Sequence, residues 1–84
     1  MVNSDNEKLY EYSITYAEWK SYIELYIFDE IDRKILTRHM LDNVPFEKVA
    51  EELQLTPLTV KRRYKKSKDR LITRLSYERK IAPR

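Results

Sequence analysis

Not one of the 84 residues is glycine. Glycine is the residue that enters left-handed backbone without steric penalty, so each connection here must be short or be turned by a side-chain-bearing substitute such as asparagine. With 37% of residues charged and 42% hydrophobic, the chain has the profile of helices joined by short connections and not of sheets. The expectation is an all-α single domain over residues 1–84, with about four helices. A chain this short buries only roughly 60–65% of its unfolded surface, so its core must be compact, and little room is left for a catalytic cleft.

The clearest local pattern lies in residues 45–66, PFEKVAEELQLTPLTVKRRYKK, which read as helix, tight turn, helix. Phe46, Val49, Ala50 and Leu53 recur at the three- and four-residue steps that share a helical face, and Glu47, Lys48, Glu51 and Glu52 fall elsewhere. Thr56-Pro57 then starts a second helix: a threonine oxygen accepts a free backbone N–H, and proline suits the first helical position. Its inward positions are predicted to be Val60, Tyr64 and Ser67, and its outward ones Leu58, Thr59, Lys61, Arg62, Lys65 and Lys66. That outward face is mostly cationic. The helix is expected to continue to about Tyr77, with Leu71, Ile72 and Leu75 extending its apolar stripe. Those residues could pack back on the rest of the chain or pair with a second molecule, and too few clean heptads remain for a coiled coil.

In Ala50, Glu51, Glu52, Leu53, Leu55, Thr59, Val60 and Lys61 the chain resembles the helix-turn-helix of bacterial sigma factors, in their promoter-recognising region four. The likeness runs from about Ile31 to Leu75. Gln54 departs from the pattern, since most members carry glycine at this turn, where φ is positive. The resemblance implies double-stranded DNA as partner, contact with RNA polymerase, and base-contacting positions at Lys61 and Arg62. It implies a small transcription regulator similar in organisation to those of phages and mobile elements. It does not imply a whole sigma factor, whose polymerase-clamping region is a separate domain that 84 residues cannot include.

Charge supports a polyanion partner independently of the resemblance. The net charge of +3 hides an asymmetry: residues 1–60 carry twelve acids against six Lys/Arg, and residues 61–80 carry ten Lys/Arg against Asp69 and Glu78. Bases concentrated on one helix are the electrostatic footprint of nucleic acid, because each neutralised phosphate releases condensed counterions. A recognition helix presents its outward N-terminal residues to the major groove. The candidate DNA-binding residues are therefore Leu58, Thr59, Lys61, Arg62, Arg63, Lys65, Lys66, Lys68 and Arg70, with Lys68 and Arg70 assigned to phosphates.

The remaining segments are read in order. Residues 1–12 are polar and expected to be flexible. From Tyr16 to Phe28, Tyr16, Trp19, Ile23, Tyr26 and Ile27 share one helical face, widened by Tyr22, Leu25 and Phe28; this face is either core or a protein-binding surface. The second option gives the competing function, an adaptor that binds RNA polymerase or a sigma factor through this aromatic helix. Asp29 is the expected N-cap of a helix reaching about Leu41, closed by Asp42-Asn43. His39, the only histidine, is read as a surface or helix-end residue without a metal partner. No nucleophile–base pair, phosphate loop or carboxylate dyad is legible, so no enzyme activity and no cofactor are expected. The absence of cysteine, of an apolar run of roughly 20 residues and of a signal-peptide pattern points to the cytoplasm and away from membranes. Oligomeric state and target site are not encoded in any readable pattern.

Overall fold

The computed structural model describes residues 13–78 and 80; the segment 1–12, expected to be flexible, lies outside them. The described residues form four helices and no strand. Helix α1 spans Tyr16–Tyr26. It opens on a reciprocal box in which Thr15 Oγ1 accepts the Glu18 N–H at 3.1 Å and Glu18 Oε1 accepts the Thr15 N–H at 2.9 Å, satisfying two otherwise orphan donors. It stops short of the predicted Phe28, because Ile27 is already extended (φ −112°, ψ 117°). The freed carbonyls of Glu24 and Ile27 both accept from the Arg33 guanidinium of the next helix.

Helix α2 runs Glu30–Ile35, with Asp29 as N-cap accepting the Asp32 N–H at 3.1 Å. It passes directly into one wider, π-helical turn, Leu36–Leu41. The Asp42 N–H reaches the Thr37 carbonyl five residues back at 3.0 Å, and the Val44 N–H reaches Arg38 at 2.9 Å. Asn43 then turns the chain at φ 60°, the substitute role expected of it in a glycine-free sequence.

Helices α3 (Phe46–Leu53) and α4 (Pro57–Tyr77) follow. Between them Gln54 is left-handed (φ 57°, ψ 42°). The Leu55 N–H bonds the Ala50 carbonyl at 2.9 Å and the Gln54 N–H the Glu51 carbonyl at 3.3 Å, the double closure of a Schellman turn. Thr56 caps α4 by accepting the Thr59 N–H at 3.2 Å, and Pro57 stands in its first turn.

Helix α4 is the spine. Twenty-one residues at about 1.5 Å each span ~31 Å, close to the 35 Å long axis of the molecule. The core gathers Trp19, Ile23 and Ile27 next to α1's inner face, Ile35, Leu36 and Met40 from α2 and its wide turn, Val49 and Ala50 from α3, and Val60, Tyr64, Leu71 and Leu75 from α4. Leu71 and Leu75 are fully buried with Trp19, so these two residues of the α4 tail pack back on the body. Arg74 adds a contact there, its guanidinium 5.6 Å from the Tyr26 ring centre. Ser67, a buried serine on the inward stripe, donates to the Arg63 carbonyl within its own helix, which removes the penalty of burying it.

His39 corrects half of the sequence reading. It stands near the end of its helix, as one alternative had it, but it is buried and not on the surface. Its Nδ1 donates to the Val44 carbonyl at 2.8 Å, its ring stacks on Phe46 with centroids 3.7 Å apart, and the Tyr64 ring meets it edge-on at 4.7 Å. The imidazole thus welds the wide turn of α2 to α3 and α4. A second polar tie flanks it: Arg38 bonds Glu52 through Nε and Nη2 at 3.0 and 2.8 Å and Asp42 through Nη1 at 3.2 Å, and Asp42 also accepts the Tyr16 hydroxyl at 2.8 Å. The Arg38 fork holds the Glu52 carboxyl below its ordinary range.

Candidate nucleic-acid interface

The phase of α4 is decided by its inward residues. Val60, Tyr64, Ser67, Leu71 and Leu75 are buried, and at 3.6 residues per turn the opposite side is centred near Arg62, Lys66, Asp69 and Thr73. Leu58, Lys61, Arg62, Lys65 and Lys66 are exposed, as the periodicity predicts, and so is Arg70; Thr59, also predicted to face outward, is half-buried. Thr59 is held at the helix start, where the Thr56 hydroxyl donates to its Oγ1 at 2.9 Å. Leu58 keeps 57% of its surface open at the first turn, an apolar group among cations.

The nine candidate residues are not equivalent. Lys61 and Lys68 lie on one flank, where their ammonium groups stand 5.9 Å from the Phe46 ring and 5.7 Å from the Tyr64 ring; their stems cover the aromatic cluster around His39 while the charges stay near water. Arg63 lies on the other flank and is engaged inside the molecule. Its Nε donates to Asp32 at 2.8 Å and its Nη2 to Asp29 at 3.0 Å. These bonds, Asp32 first, hold the guanidinium pKa above its usual value. The Asp29 carboxyl is held below its own range, chiefly by the Asp32 backbone N–H it caps and further by Arg63.

Three other arginines are tied within the molecule as Arg63 is. Arg33 closes the end of α1, Arg38 joins α2 to α3, and Arg74 pairs with Glu78 at 3.6 Å. Among the described residues, Arg62 and Arg70 are the arginines with neither an ion pair nor a hydrogen bond to the rest of the chain, and Lys65 and Lys66 beside them form no ion pair. The body of the domain uses its arginines as internal ties, and the outward face of α4 leaves its cations to solvent. The sequence reading placed that face from periodicity. It missed the Arg63 tie, whose carboxylate partners lie 31 and 34 residues away, and it missed the Thr15–Glu18 box, although a threonine three residues before a glutamate is a readable signal.

No family model, curated protein or solved structure matches the chain. No described helix is long and apolar enough to cross a membrane.

Proposed function

We propose that the chain is a sequence-specific, DNA-binding transcription regulator of the sigma region four type, acting in the cytoplasm with RNA polymerase. In this reading α3, the Gln54 turn and α4 form the helix-turn-helix, and the first turns of α4 enter the major groove. What supports it is the exposed cluster of Arg62, Lys65, Lys66 and Arg70 on α4, none of them in an ion pair, set against a body whose other described arginines are tied internally. Arg62 and Lys61 take the base-reading role, and Lys65, Lys66, Lys68 and Arg70 hold phosphates.

Binding to duplex DNA as a function of salt tests it. With about five phosphate contacts, log K should fall with log salt at a slope of roughly −4 to −5. A flat salt response, or no duplex binding, refutes the reading.

A second reading, the protein adaptor, is favoured by one observation. Leu25 and Phe28 stay 59% and 80% exposed at the α1–α2 elbow, so the aromatic segment is only partly core. Phe28→Ser would abolish binding of a polymerase or sigma partner and leave duplex affinity unchanged if that surface is the functional one.

A further inference from the structure

Arg63 sits one position along the helix from Arg62, yet it faces inward to α2. Its two bonds end on different carboxylates, Asp32 at 2.8 Å and Asp29 at 3.0 Å, and the same Asp29 oxygen also accepts the Asp32 backbone N–H at 3.1 Å. Asp29 is therefore fixed by its own capping bond before Arg63 reaches it, and the acceptor pair is rigid. The buried stripe of α4, in which Tyr64 meets the His39 and Phe46 rings edge-on, sets the phase of the helix; a finer roll about the helix axis is limited from the side. A charged fork on the flank resists it directly. A roll of about 10° shifts a group at the ~5–6 Å helix surface by about 1 Å, which exceeds the roughly 0.5 Å within which a recognition geometry has to be held.

We propose that Arg63 is a positioning residue for α4: pinned to Asp29 and Asp32, it sets the roll at which Arg62 and Lys61 meet base edges, and it makes no phosphate contact. This departs from the sequence expectation, which grouped Arg63 with the DNA-contacting residues, and it rests on the DNA-binding reading above. A phosphate would have to displace two carboxylates from the same guanidinium before Arg63 could serve as a contact.

The test uses the full chain and a duplex site recovered by selection from a random-sequence library on the wild-type protein, with a scrambled duplex as the non-specific reference. Two variants are compared, Arg63→Met and Asp32→Asn. Asp32 accepts only Arg63 in this tie and leaves the Asp29 cap intact, so it covers the case in which Arg63→Met fails to fold by circular dichroism. Positioning predicts that both variants lower the ratio of specific to non-specific affinity by about tenfold, the order of one lost base contact, with the salt slope unchanged. A phosphate contact predicts the opposite pattern: Arg63→Met reduces the slope by about 1 and leaves the ratio alone, while Asp32→Asn, which removes one of the two charges holding the guanidinium, tightens binding to both duplexes. That pattern, or variants indistinguishable from wild type, overturns the proposal and leaves the DNA-binding reading standing. A wild-type chain that enriches no site overturns both.

Discussion

Replacing Gln54 by glycine has a sign that depends entirely on the backbone at that residue. Gln54 is at φ 57°, ψ 42°, where a Cβ clashes with the following carbonyl at about 1–2 kcal/mol. Glycine removes that strain, and its greater freedom in the unfolded chain offsets about 0.4–1 kcal/mol. The difference is a net stabilisation of about 0.5–1 kcal/mol, which for a domain of this size raises Tm by roughly 2–8 °C. Were the residue an ordinary right-handed turn of a continuous helix, glycine would instead cost about 1 kcal/mol and lower Tm by roughly 4–8 °C. Gln54→Val supplies the converse control, since a β-branched residue is poorly tolerated at positive φ and should melt below wild type. The assay is thermal unfolding followed by far-ultraviolet circular dichroism at neutral pH. A Gln54→Gly protein that melts below wild type would refute the left-handed turn, and with it the angle at which α3 delivers the chain to α4.

His39→Ala should destabilise the domain by roughly 2–4 kcal/mol, in the range of large-to-small core substitutions, because it removes the stack on Phe46 and the bond to Val44; an unchanged Tm would mean that the ring faces water. Arg62→Ala should relax sequence preference by roughly 1–3 kcal/mol at one base pair, whereas Arg70→Ala should weaken all duplexes alike and flatten the salt dependence by about 1; equal effects in a binding titration on selected and scrambled duplexes would show that α4 does not read bases through Arg62. Stability should decline with acid. Glu18, held down mainly by the Thr15 N–H, Asp29 by the Asp32 N–H, and Glu52 by Arg38 all have folded pKa values below the ordinary 4.5 for Glu and 3.8 for Asp. Their contribution is complete above those ordinary values and is lost as pH falls through the lower folded ones. Chemical denaturation should therefore give a plateau above about pH 5 and a decline below about pH 4, and a rise in stability on acidification would contradict the network.

What could be read from the chain was local. Thr56 and Asp29 act through bonds to backbone three residues on, and Pro57 and Asn43 through their own backbone angles, so their roles as caps and turn were legible, and the three- and four-residue spacing of Val60, Tyr64, Ser67 and Leu71 set the phase of α4. What could not be read depends on partners distant in sequence. The wide turn at residues 36–41 has no composition signal, because one extra residue per turn is tolerated only where packing from α3 and α4 rewards it. His39 was judged by its lack of metal-ligating neighbours, although it lies on the arc of Leu36 and Met40, and that arc pointed inward. Arg63 looked like one more member of a basic run until Asp29 and Asp32 were folded against it. The outward cations of α4 were legible as a face; DNA as the ligand of that face is a proposal that rests on resemblance and charge.

The way α4 serves as spine also limits how the segment 45–66 can be moved. Residues 45–66 supply only Val49, Ala50, Val60 and Tyr64 to the fully enclosed apolar set, and Trp19, Ile23, Ile27, Ile35, Leu36, Met40, Leu71 and Leu75 lie outside it. With eight residues, α3 is well below the roughly 12–15 at which a helix holds its shape alone. A graft of residues 45–66 onto another scaffold would carry the charges and lose the bed that aims them. The smallest transferable piece runs from Thr15, where α1 is capped, to the end of α4.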